Sequence, residues 1–174
     1  RIITPATVSE EAFLDANQDS ILLSIFVKNS KYHLAYTSYT QGKIYLHKSI
    51  NNLAELKNEI AKLAPQEIVT NSQELSENKD LGIAIGYLEE WYYSSSDAKR
   101  NITNSLDIAL ASSVLQNNKP EQIIVIGSII AYLSHTLKKL PSHITAISFS
   151  ENESVLNVDS NSRSNLEIDS NSKS

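Results

Sequence analysis

Cysteine and methionine are both absent from the 174 residues, and glycine and proline occur only four times each. Without cysteine there is no disulfide frame, no thiolate metal site and no cysteine nucleophile. That suits a reducing compartment, and a cytoplasmic location is expected. No apolar run is long enough to span a bilayer and no signal-peptide pattern opens the chain, so no membrane partner is expected. A basic excess is missing too: the formal net charge is -5, which argues against a surface built mainly to grip phosphates. The chain starts at Arg1 and holds no methionine, and is read as a piece of a longer polypeptide. What is present, 41% hydrophobic and 20% charged residues, is the make-up of one globular domain with enough chain for a real core.

In RIITPATVSEEAFL at the N-terminus, Pro5 disfavours the helical region for Thr4. Three strand-length runs follow: ILLSIFV (Ile21 to Val27), YHLAYTSYT (Tyr32 to Thr40) and KIYLHKSI (Lys43 to Ile50). In the second and third runs apolar or aromatic residues alternate with a period of two, the strand signature. The links at Asn29-Ser30 and Gln41-Gly42 are short, which predicts an antiparallel three-stranded meander. The period then shifts, because Leu53, Leu56, Ile60 and Leu63 gather on one helical face. Asn52 and Glu55 form a capping-box pattern, and Pro65 stops that helix.

QEIVT (Gln66 to Thr70) predicts the next strand. Beyond it NSQELSENKD reads as loop, LGIAIGYL as a short strand, and EEWYYSSSDAKRN fits no single period. SLDIALASSVL (Ser105 to Leu115) reads as one helix stacking Leu106, Leu110 and Val114, ended by Asn117-Asn118. Pro120 sits where a first helical turn accepts proline. The helix behind it, Glu121 to Lys139, carries so broad an apolar face that burial on more than one side is expected. ITAISFS and SVLNVD predict a closing hairpin around ENE. An antiparallel meander followed by alternating helices and strands is the pattern of an α/β domain with a mixed sheet flanked by helices.

Catalytic patterns are sparse. There is no G-x-S-x-G elbow, no G-x-x-x-x-G-K-[ST] phosphate loop and no G-x-G-x-x-G turn. Gly127 falls inside a helical pattern, where close helix packing explains it. His33 and His47 lie on neighbouring strands with no visible third ligand, and His135 and His143 flank the end of the long helix. Trp91, Tyr92 and Tyr93 offer either a stacking platform or partner anchor, or simple burial against the sheet or a helix. The element order resembles that of ribonuclease H-like folds, whose nucleases hold two metal ions with converging carboxylates. Here ILLSIFV contains no acid, Asp19 precedes the strand, and Asp107 and Glu121 sit in or beside helices. No metal site and no cofactor site is therefore expected.

The two ends carry a more specific likeness. RIITPATVSEEAFLD resembles the segment that leaves the mismatch-binding domain of bacterial MutS proteins, an I-x-T-P-G-T run followed by acids and a leucine. DSNSRSNLEI resembles the D-x-x-T-R-R-N-L-E-[IL] motif that opens the MutS core, with Asp159, Arg163, Asn165, Leu166, Glu167 and Ile168 at the matching positions. Between them LAYTSYTQGKIYL, LAPQEIV and GSIIAYLSHTLKKLPSHI echo the MutS connector in order and spacing. Ala6 stands in place of the family's glycine, and Ser162 and Ser164 replace the Thr and second Arg of the core motif.

The resemblance implies a linker over 1–16, a ribonuclease H-like connector over 17–159, and a truncated core start over 160–174. It implies no catalysis in this piece, hinges at Thr4, Pro5 and Asp159, and MutL, the neighbouring domains and mismatched DNA as partners of the parent. That parent is expected to be a homodimer and an ATPase using ATP and Mg. A partner-docking hairpin is expected at Ser150, Glu151, Asn152, Glu153 and Ser154. The alternatives are a free-standing ribonuclease H-like binding module or a metal-dependent nuclease resting on Asp19 or Asp107. The Ser/Asn-rich tail fits either the first turn of a following domain or a linker.

Overall fold

The computed structural model describes residues 20–38, 42–137 and 146–149. The expected meander is present as β1 (Ile21–Lys28), β2 (Lys31–Ser38) and β3 (Lys43–Leu46), with Ile25 opposite Leu34 and Ala35 opposite Leu46. Asn29 and Ser30 turn the first hairpin with φ of 52° and 63°, the left-handed pair whose twist matches the flanking strands. α1 (Leu53–Leu63) begins where the Asn52 side chain accepts the Glu55 amide at 2.8 Å. It ends on Ala64, left-handed at φ 47°, immediately before Pro65.

β4 (Glu67–Thr70) then runs parallel to β1, and β5 (Ile85–Tyr87) parallel to β4. Between them lie a single helical turn, α2 (Gln73–Ser76), and a 3-10 turn at Lys79–Leu81. Only the last part of LGIAIGYL is strand. The stretch without a clear period resolves into a 3-10 turn, Glu90–Tyr93, and α3 (Ser95–Ser105), which Ser94 caps by accepting the Asp97 amide. The single helix expected from Ser105 to Leu115 is two helices. α3 ends at Ser105, Leu106 turns extended into the core, and Asp107 caps α4 (Ile108–Asn117) by accepting the Leu110 amide at 2.8 Å. Aspartate competes with the backbone as a cap better than it serves inside a helix, so the break falls there.

α5 (Pro120–Leu137) follows, and β6 (Ala146–Phe149) pairs parallel with β3. The second strand of the expected closing hairpin lies outside the described residues. The sheet order is β5-β4-β1-β2-β3-β6, and β2 alone runs against the others.

Helices cover both faces. Leu22, Phe26, Ala35, Ile44, Leu46 and Val69 pack toward α3, α4 and α5. Leu23, Ile25, Leu34 and Ile68 pack toward α1 and α2. β1 is therefore buried on both sides, which is why its sequence is a nearly continuous apolar run and not an alternation. α5 buries Ile123, Ile124, Val125, Ile126, Ile129 and Ile130. At about 1.5–3 kcal/mol per buried branched side chain, packing and not the modest helix propensity of isoleucine holds it helical. Among the described residues no helix is long and apolar enough to cross a membrane.

Candidate functional site

α5 is fixed to the sheet by a chain of hydroxyl groups. Ser24, in the middle of β1 and 0% exposed, lies 2.8 Å from the Tyr93 hydroxyl and 2.6 Å from Ser128 Oγ. Ser128 donates to the Val125 carbonyl at 2.7 Å. Each hydroxyl has one proton, so the order follows: Tyr93 donates to Ser24, Ser24 to Ser128, and Ser128 to the backbone. The centre of β1 is thus occupied by a closed run of neutral donors and acceptors. Next to it Gly127 lets α5 approach α3 so closely that a Cβ there would lie 2.5 Å from Ala98.

Burial pushes the Tyr93 phenol well above its ordinary pKa, against smaller lowering contributions from Ser24 and Ser128. A phenol raised on folding contributes stability that is complete below its unfolded pKa, about 10, and is lost as pH rises beyond it. Urea midpoints measured from neutral pH upward are expected to fall above about pH 10, and Tyr93→Phe is expected to reduce that alkaline loss. An unchanged alkaline slope in the variant would disprove the assignment.

The WYY triplet divides between core and surface. Tyr93 is core, while Trp91 is 39% exposed and stacks on Tyr92 with centroids 4.0 Å apart. Trp91 Nε1 donates to Glu89 at 2.8 Å, and the His135 ring meets Trp91 edge-on at 5.0 Å. Tyr92 touches Tyr132 edge-on, and the Tyr132 hydroxyl donates to the buried Glu67 carboxylate. The aromatic group therefore braces the last turns of α5.

The remaining chemistry gathers at the carboxyl ends of β1 and β3. A hollow of about 620 Å³ opens there, lined by Lys28, Lys31, His33, Lys48, Lys119 and Glu121 among others. His33 and His47, expected on neighbouring strands, both line it. His47 bonds the Lys48 carbonyl at 2.8 Å and faces Glu59 at 3.1 Å. Desolvation is the main cause that lowers the His33 pKa; Glu121 opposes it, and Lys31, Lys28 and Lys119 add to it. A second hollow of about 490 Å³ shares Lys28 and is lined by Phe26, Asn71, Tyr87, Tyr93 and Ile124.

Asp107 serves as a helix cap, and Glu121 lies 3.9 Å from Lys28. Among the described residues no three His, Asp or Glu side chains converge as a metal site would require. Asp19, the hinge residues Thr4, Pro5 and Asp159, and the hairpin Ser150 to Ser154 lie outside the described residues. The lysine cluster escaped sequence reading because its members come from three separate connections and no local pattern joins them.

Residues 20–145 match the family model for MutS domain II. That span holds most of the chain, including the whole of β1 to α5, and the chain belongs to the MutS connector-domain family of DNA mismatch repair.

Proposed function

We propose that the chain acts as the non-catalytic connector of a MutS-type protein, joining a mismatch-binding domain to the core and ATPase domains and helping to recruit MutL. The family match over residues 20–145 carries this reading. The locked contact between α5 and the sheet supports it physically, because a connector must transmit a change of domain arrangement as a rigid body. Hinges at Thr4, Pro5 and Asp159 would take up the rotation, and the parent would work in the cytoplasm as a homodimer using ATP and Mg on mismatched DNA. We also read the fold as ribonuclease H-like. An antiparallel β1-β2-β3 start, extended beyond β1 by parallel β4 and β5 and covered by helices on both faces, supports that classification.

Titrating the chain with MutL in a calorimeter tests the recruitment role. Saturable binding is expected, weakened about tenfold when Glu151 and Glu153 are both replaced by alanine. Absence of any MutL binding would remove the recruitment role. Mg-dependent cleavage of DNA that Asp107→Asn abolished would replace the connector reading with a nuclease.

A further inference from the structure

The hollow at the carboxyl ends of β1 and β3 concentrates positive charge in a chain whose net charge is -5. Lys28 and Lys31 come from the first hairpin, Lys48 from the segment after β3, and Lys119 from the residue before α5. Among the described residues Glu121 is the one carboxylate that lines the hollow, and it faces Lys28. Among the described residues Lys31, Lys48 and Lys119 have no carboxylate partner. Lys28 and Lys31 are also directly opposite each other in the β1–β2 ladder. Like charges in register destabilise a hairpin, so this arrangement works against the fold and needs another reason.

Position and shape supply one. The carboxyl ends of parallel strands are where open α/β sheets receive ligands. The positive end of the α5 dipole opens at the same place. On the α5 side of the sheet the buried Leu46 and Val125 lie at the base of the hollow.

We propose that this hollow docks an acidic peptide segment of a partner protein, its carboxylates meeting Lys31, Lys48 and Lys119. A hollow of about 620 Å³ holds a few side chains and not the width of a duplex, and among the described residues no Tyr, Trp or Phe lines it for base stacking. The overall acidic balance also disfavours a long polyanion while leaving a short one free to enter. The inference does not depend on MutL being the partner.

Fluorescence anisotropy of the full chain with a short labelled poly-glutamate peptide at low salt tests it. Saturable binding is expected. Lys31→Glu should weaken it by about tenfold while leaving the thermal midpoint unchanged or slightly higher, because it converts the like-charged ladder pair into an opposite one. Glu121→Gln should tighten binding severalfold by removing the internal competitor. No saturable binding, or a Lys31→Glu protein that binds as well as the parent chain, would overturn the proposal. Tighter binding of a DNA duplex of equal charge, lost in the same variant, would overturn it in favour of nucleic acid. MutL titration reads the connector role separately, so either proposal can fail alone.

Discussion

Gly127→Val is expected to destabilise the chain by about 3 kcal/mol or more, among the larger losses that a single overpacked core position produces. A Cβ at Gly127 would lie 2.5 Å from both Cα and Cβ of Ala98 and 3.3 Å from its carbonyl carbon. Two of those atoms are backbone of α3, so no rotamer change can clear them and one helix must move. Helix propensity points the other way, since alanine is favoured over glycine by about 1 kcal/mol inside a helix. Gly127→Ala therefore separates the two effects: overpacking should outweigh propensity and leave a net loss of about 1–2 kcal/mol. Adding Ala98→Gly should restore only part of that loss, because the Cα of residue 98 stays in the way. Urea denaturation of the three variants decides the matter. A Gly127→Ala chain as stable as the parent would mean that α3 and α5 are not in close contact.

That contact was half legible in the sequence. A glycine inside a strong helical pattern signals close packing, but the partner, Ala98, lies in a stretch of polar residues with no clear period. α3 escaped reading because only Ala98 and Ile102 of its residues are buried, too few to set a rhythm. The meander was legible because Asn29-Ser30 and Gln41-Gly42 punctuate three strand-length runs, the second and third of them with a period of two. The break at Asp107 was not, because Leu106, Leu110 and Val114 fall at helical spacing whether or not the chain turns between the first two. For the surfaces, pattern put His33 and His47 on neighbouring strands, but the register turns them to opposite faces, His33 toward Phe26 and His47 toward Glu59. The convergence of Lys28, Lys31, Lys48 and Lys119 depends instead on β3 and the start of α5 meeting at one end of the sheet, a tertiary fact. The more specific part of the MutS likeness lay in the end motifs, with a looser echo between them, whereas the family match rests on the body of the chain.

The hydroxyl chain at the centre of β1 makes the second large prediction. Ser24→Ala removes the acceptor of the Tyr93 proton and the donor to Ser128 together, inside a site where Ser24 and Ser128 are 0% exposed. A buried donor left without an acceptor costs about 1–3 kcal/mol, more than the roughly 1 kcal/mol that an ordinary hydrogen bond contributes. The expected loss is therefore about 2–3 kcal/mol, weighted toward the stranded phenol. Tyr93→Phe should cost less, about 1 kcal/mol, because Ser24 keeps its own bond to Ser128 and loses only an incoming proton. The pair is strongly non-additive on this account. The orphan created by Ser24→Ala is the Tyr93 hydroxyl, so deleting it in the double variant should leave stability no worse than in Ser24→Ala alone. A double-mutant cycle in urea reads that coupling directly. Simple additivity would mean that Tyr93 finds another acceptor, and with it would go the directed chain that ties β1 to α5.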